Sequence, residues 1–79
     1  MEVLKIDKYG ESHYVVYFDN GYSSDVQVGG KSDSNVSYFI IRGPHMTSIG
    51  VGVAKNSLMS VIDASIKEIE KILDENTKN

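Results

Sequence analysis

Two segments of this chain, residues 13–18 (His-Tyr-Val-Val-Tyr-Phe) and 36–41 (Val-Ser-Tyr-Phe-Ile-Ile), read as strands that are apolar on both faces. A strand with one face in water alternates apolar and polar residues instead. Against them stands a single amphipathic helix pattern, over residues 58–75. One helix covers one face of a small sheet, so the other face is predicted to meet a partner.

The chain has 79 residues and reads as one domain, 1–79, with no internal repeat or linker. A core of this size supplies roughly 3–5 kcal/mol net, and natural domains this small often add a disulfide, a metal or an oligomeric contact. There is no cysteine. Disulfides, thiol nucleophiles and cysteine-type zinc sites are therefore excluded. His13 and His45 lack the short spacing of a helical metal pair, so no metal or cofactor is expected. Oligomerisation is the staple that remains.

The formal net charge is −3. Binding a phosphate backbone calls for a clustered basic face. Here Lys5, Lys8, Lys31, Arg42, Lys55, Lys67, Lys71 and Lys78 are scattered instead. The start Met-Glu-Val-Leu-Lys-Ile-Asp-Lys has no secretory apolar region, and no run approaches the roughly 20 residues of a membrane span. A cytoplasmic protein with no membrane contact is the expectation.

Residues 2–7 read as a first strand with Leu4 and Ile6 on one face, and 13–18 as the second. Asp19-Asn20-Gly21 is the strongest hairpin signal in the chain. A two-residue loop would pair Val16 with Asp25. A three-residue loop with Gly21 left-handed pairs Phe18 with Tyr22, and groups Tyr14, Val16, Phe18, Tyr22 and Val26 on one apolar face. The longer loop is predicted, with Val15 and Tyr17 on the opposite face beside Ser23 and Asp25. A third strand covers 22–28, and a fourth covers 36–42. If Arg42 points outward, parity sends Tyr38 and Ile40 with it and turns Phe39 and Ile41 inward. Gly43-Pro44-His45-Met46 is a turn. A fifth strand, 47–54, carries Ile49, Val51 and Val53 on one face and Gly50 and Gly52 on the other. Glycine within a strand marks a bulge or a close approach by backbone or ligand. Asn56 or Ser57 caps the helix, whose stripe is Leu58, Val61, Ile62, Ser65, Ile66, Ile69, Ile72 and Leu73. The fold class is α+β: an antiparallel sheet of four to five strands with one C-terminal amphipathic helix packed on one face.

Chemistry is sparse. Gly29-Gly30-Lys31-Ser32 has the look of a phosphate loop, but that pattern needs a glycine where Asp25 stands and a helix after Ser32. No serine sits in a Gly-x-Ser-x-Gly turn. His13 reads as a strand-end residue. His45, beside Arg42, is the candidate for touching an anion. Tyrosine suits interfaces because one end is apolar and the other wet, and Tyr17 and Tyr38 fall on the face away from the helix. With Val15, Ile40 and Arg42 they form a continuous patch if strands two and four are neighbours. Burying about 300–400 Å² there is worth about 8–10 kcal/mol gross, before association costs.

Gly50-Val51-Gly52-Val53-Ala54-Lys55 followed by an amphipathic helix resembles the last strand and helix of a double-stranded RNA-binding domain. That resemblance covers about the last 30 residues and implies that Lys55, at the helix start, grips phosphate. Only Lys55 matches the family's basic cluster, and the family's leading helix has no counterpart, because residues 2–7 read as a strand. In size and composition the chain also resembles accessory proteins such as bacteriophage-encoded inhibitors of host factors.

The expectation is a non-enzymatic interaction protein that homodimerises or captures a protein target through its second sheet face. Its binding residues are Val15, Tyr17, Tyr38, Ile40, Arg42, His45, Gly50 and Gly52. The alternative is a nucleic-acid or nucleotide-binding module with Lys31, Arg42, His45 and Lys55 around a notch at Gly50 and Gly52.

Overall fold

A computed structural model describes residues 1–29, 35–45 and 47–77 of the chain. The elements run β1 (Val3–Lys8), β2 (His13–Phe18), β3 (Ser23–Gln27), β4 (Val36–Arg42), β5 (Ser48–Lys55) and α1 (Leu58–Thr77). The five strands form one antiparallel sheet in the order β1-β2-β3-β4-β5, each paired with its neighbour in the chain. α1 seats on β5, β4 and β3 across one face. The architecture is α+β, with the helix following the sheet.

The β2–β3 hairpin closes through three residues. Tyr14 faces Val26 and Tyr17 faces Ser23. The Phe18 amide donates to the Tyr22 carbonyl at 2.9 Å, and Gly21 adopts φ +88°. A loop one residue shorter would have turned Tyr14, Val16 and Phe18 to the polar side, and hydrophobic burial selects against it.

The core lies between the sheet's inner face and α1. Val16, Phe18, Val26, Phe39 and Ile41 supply the sheet side, and Val61 and Ile69 the helix side. In β5, Gly52 stands opposite Phe39, Gly50 opposite Ile41 and Ala54 opposite Ser37, so β5 turns its smallest residues inward. The Phe39 ring crosses directly over Gly52: a Cβ there would stand 2.2 Å from Phe39 Cζ. The absence of side chains on β5 is what lets both the ring and the helix settle onto the sheet.

Small polar groups pin the layers together. Ser24 Oγ and Ser65 Oγ share a hydrogen bond of 2.8 Å, and both residues are fully buried. Ser37 Oγ donates to Asn56 Oδ1 at 3.3 Å and accepts from the Gly29 amide at 3.4 Å. Of the two candidate caps, Ser57 takes the role: its Oγ accepts from the Ser60 amide at 3.0 Å. Replacing it, Ser57→Ala, is expected to cost about 1 kcal/mol, read as a lower urea midpoint at unchanged slope.

β1 differs from the expectation. Ile6 pairs with Val16 and so shares the inner face, but a register shift between Val3 and Lys5 breaks the alternation at Leu4. The strand also lies at the sheet edge farthest from β5, away from α1. Leu4 and Ile6 therefore stay exposed.

Candidate functional site

No described residue covers the face opposite α1, and strand register arranges its side chains in rows. One row runs Lys5, Tyr17, Ser23, Arg42. The next runs Asp7, Val15, Asp25, Ile40, Val51, and the third runs His13, Gln27, Tyr38, Val53. Val15, Tyr17, Tyr38, Ile40 and Arg42 all lie on this face. They do not make one continuous patch, because β3 separates β2 from β4 and inserts Ser23, Asp25 and Gln27 between them. The sheet is a simple meander, so strands two and four are not neighbours. The face divides into a charged half and an apolar half.

The charged half is built on β1 and β2. The Lys5 ammonium lies 4.8 Å from the centre of the Tyr17 ring and 3.5 Å from the Asp7 carboxylate. Tyr17 is thus partly shielded by a cation from its own sheet. The Tyr9 hydroxyl donates to Asp7 at 3.3 Å. Its pKa is pushed up to about 12, chiefly by hydrogen bonding and charge from the Tyr17 hydroxyl, with the Asp7 carboxylate adding to the effect.

Asp25, at the centre of the face, joins the two halves. One carboxylate oxygen bonds the His13 Nε2, and the other lies 3.6 Å from Arg42 Nη2. All three side chains remain partly open to solvent. A carboxylate held between a guanidinium and an imidazole has its acceptor sites taken up from both sides. Ser23 precedes Asp25 on the same face, and its Oγ is buried without a hydrogen-bond partner. His13 reaches Asp25 from the β2 side while Ser23 stands opposite Tyr17, so serine, histidine and aspartate do not form a nucleophilic relay.

The apolar half belongs to β4 and β5. Tyr38, Phe39, Ile40, Val51, Gly52 and Val53 line an open depression of about 470 Å³. A smaller hollow of about 160 Å³ adjoins it across Tyr38 and Ile40, bounded by His13, Asp25 and Gln27. Three apolar side chains in this region keep large fractions of their surface in water: Tyr38 42 %, Val53 58 % and Val51 70 %. Ile49, expected on the same face, is set apart from them by the register shift that falls on it. Val51 and Val53 face outward because the glycines that alternate with them, Gly50 and Gly52, are needed inward.

The remaining expected residues fall elsewhere. Gly50 and Gly52 form no notch for a ligand. A Cβ on Gly50 would meet Ile72 and Glu68 of α1, and the space over Gly52 is filled by the Phe39 ring. The close approach they serve is internal packing; towards the outer face Gly52 offers the depression only main chain. His45 is exposed in the turn between β4 and β5, whereas Arg42 engages Asp25 in the sheet. Lys31, with residues 30–34, lies outside the described residues. Sequence reading missed His13 and Asp25 as a pair, although the hairpin register already placed them diagonally across two strands on one face.

Among the described residues, no group of three histidine or acidic side chains is arranged to hold a metal ion. No described helix is long and apolar enough to cross a membrane. Comparison with protein-family models, with curated proteins and with solved structures finds no match to this chain.

Proposed function

We propose that this chain is a non-enzymatic protein-recognition module acting through the outer face of β4 and β5. The carrying observation is the apolar depression lined by Tyr38, Ile40, Val51 and Val53, on the face α1 does not cover. A contiguous apolar surface with a polar border has the anatomy of a protein interface, in which a desolvated centre supplies energy and a charged rim supplies orientation. Asp25, His13 and Arg42 supply that rim. Tyr38 is the anchor, being large, amphipathic and low in conformational entropy.

The alternative, a nucleic-acid or nucleotide module, draws less support. Its glycines are occupied by Phe39 and α1, and its arginine is held by a carboxylate. An enzymatic role draws none from the outer face, where among the described residues the His13–Asp25 pair has no nucleophile aligned with it.

The test is capture from extract of the source cells on immobilised protein, read by mass spectrometry. The unaltered chain and a Lys5→Ala variant are expected to retain the same specific protein, and Tyr38→Asp is expected to lose it at least about 100-fold. Equal retention by Tyr38→Asp, with its fold intact by circular dichroism, would remove the apolar half from the function.

A further inference from the structure

We infer that the outer edge of β5 is a self-pairing site: a second copy of this chain adds its own β5 antiparallel, about a two-fold axis through Val51. The inference rests on β4–β5 being the contact region, as proposed above, but it goes beyond that reading by using the strand's main chain and naming the partner.

The two edges of the sheet are treated differently. β1 carries Lys5, Asp7 and Lys8 and an irregular register at Val3–Lys5. Charges and bulges of this kind are how natural sheets protect an edge from further pairing. β5 reads Ser-Ile-Gly-Val-Gly-Val-Ala-Lys, with no charge before Lys55 and no proline; its one register shift falls at Ile49, and from Gly50 to Lys55 the pairing with β4 is regular. It is the longest strand of the sheet, and no described strand pairs with its far side.

The phase of the ladder fixes which groups are on offer. The Asn56 amide donates to the Asn35 carbonyl directly opposite, so this is a hydrogen-bonded pair. Alternation then turns the main-chain groups of Ala54, Gly52 and Gly50 toward β4, and those of Val53 and Val51 toward the open edge. Ile49 is the extra residue of a bulge, where the Gly43 amide bonding the Thr47 carbonyl resets the phase. The residues with outward main chain are the same ones whose apolar side chains stand in water.

The segment is nearly its own mirror. Around Val51 the order is Ile49-Gly50-Val51-Gly52-Val53. Antiparallel pairing with Val51 against Val51 of the second copy sets Ile49 against Val53 and Gly50 against Gly52. Every apolar residue meets an apolar one, every glycine meets a glycine, and Lys55 falls opposite the uncharged Thr47. An isologous contact requires this kind of self-complementarity. The Val51–Val51 pair exchanges two main-chain hydrogen bonds, and the Tyr38–Ile40–Val51–Val53 surfaces of the two copies merge into one band. The area removed from water is on the order of 1,000 Å² in total, near the lower limit for a stable specific interface. A contact of that size is weak and reversible. Each copy carries −3 while the contact itself is neutral, so added salt should tighten it by screening repulsion.

Sedimentation velocity on the unaltered chain from about 1 µM to about 1 mM, with amide exchange at both ends, tests this. The expected result is a monomer-to-dimer shift in which the Val51 amide slows at least about tenfold at high concentration. Gly50 and Gly52, which bond to β4, should be protected throughout. Val51→Lys, at a site already in solvent, sets two lysines face to face across the axis and should weaken association at least about 100-fold. A monomer at every concentration overturns the inference. So does a dimer whose Val51 amide still exchanges freely, or one that survives Val51→Lys. Should that variant fail to fold, the amide pattern of the unaltered chain decides alone. A monomeric chain that captures a target through Tyr38 overturns self-pairing and leaves the recognition reading intact; a β5-paired dimer that captures nothing does the reverse.

Discussion

Gly52→Ala is expected to destabilise the domain by about 3 kcal/mol. That is most of the roughly 3–5 kcal/mol a domain of this size holds. Its sign is opposite to the usual one, since alanine in a strand loses less conformational entropy than glycine. The reason is the Phe39 ring: an added Cβ would stand 2.2 Å from Cζ and within 2.9 Å of both flanking ring carbons. The ring is part of the buried core, so it has little freedom to withdraw. Gly50→Ala is the control, because its Cβ would sit 3.4 Å from Ile72 Cδ1 and 3.5 Å from Glu68 Oε1, distances of ordinary contact. Its stability should change by less than about 0.5 kcal/mol. Phe39→Leu introduced on top of Gly52→Ala should restore part of the loss, because it removes the atoms in conflict. Urea denaturation of the four chains measures this cycle, and simple additivity of the two substitutions would count against the ring as the cause.

Ser65→Ile should also fail where the helical pattern invites it. Ser65 lies on the apolar stripe of α1, so isoleucine looks like an improvement in sequence. The residue is fully buried, and its hydroxyl is bonded to Ser24 across the layer interface. Isoleucine adds carbons where the packing leaves no space and strips a buried hydroxyl of its partner. The combined loss is expected to be about 3 kcal/mol. Ser65→Ala alone should cost about 1–2 kcal/mol through the orphaned Ser24 hydroxyl. Ser24→Ala together with Ser65→Ala should recover most of that, because neither side keeps an unpaired group. A double variant no better than Ser65→Ala would show that the hydrogen bond is not what Ser65 contributes.

Much of this fold was legible because its determinants are local. The Asp19–Gly21 turn, the parity of Phe18 and Tyr22, and the stripe of α1 each depend on residues a few positions apart. Strand order was not legible, because no local signal tells β4 whether to sit beside β2 or β3. That is why Val15 and Tyr17 were expected to join Tyr38 and Ile40. The orientation of β5 was hidden for another reason. Valine is the more hydrophobic residue, yet glycine faces inward, since the space there is already filled by the Phe39 ring and by α1. Local hydrophobicity lost to the volume of neighbours far away in sequence. The Asp25 cluster needed three strands in register before Arg42 and His13 could be seen to converge.

The position of α1 after all five strands has a consequence for synthesis. As the chain leaves the ribosome the hairpins can close one after another, but Phe18, Phe39 and Ile41 stay wet until the helix follows. For that interval the nascent domain is a ribbon with both sides bare and an unguarded margin at β5, the moment at which a chaperone has most to hold.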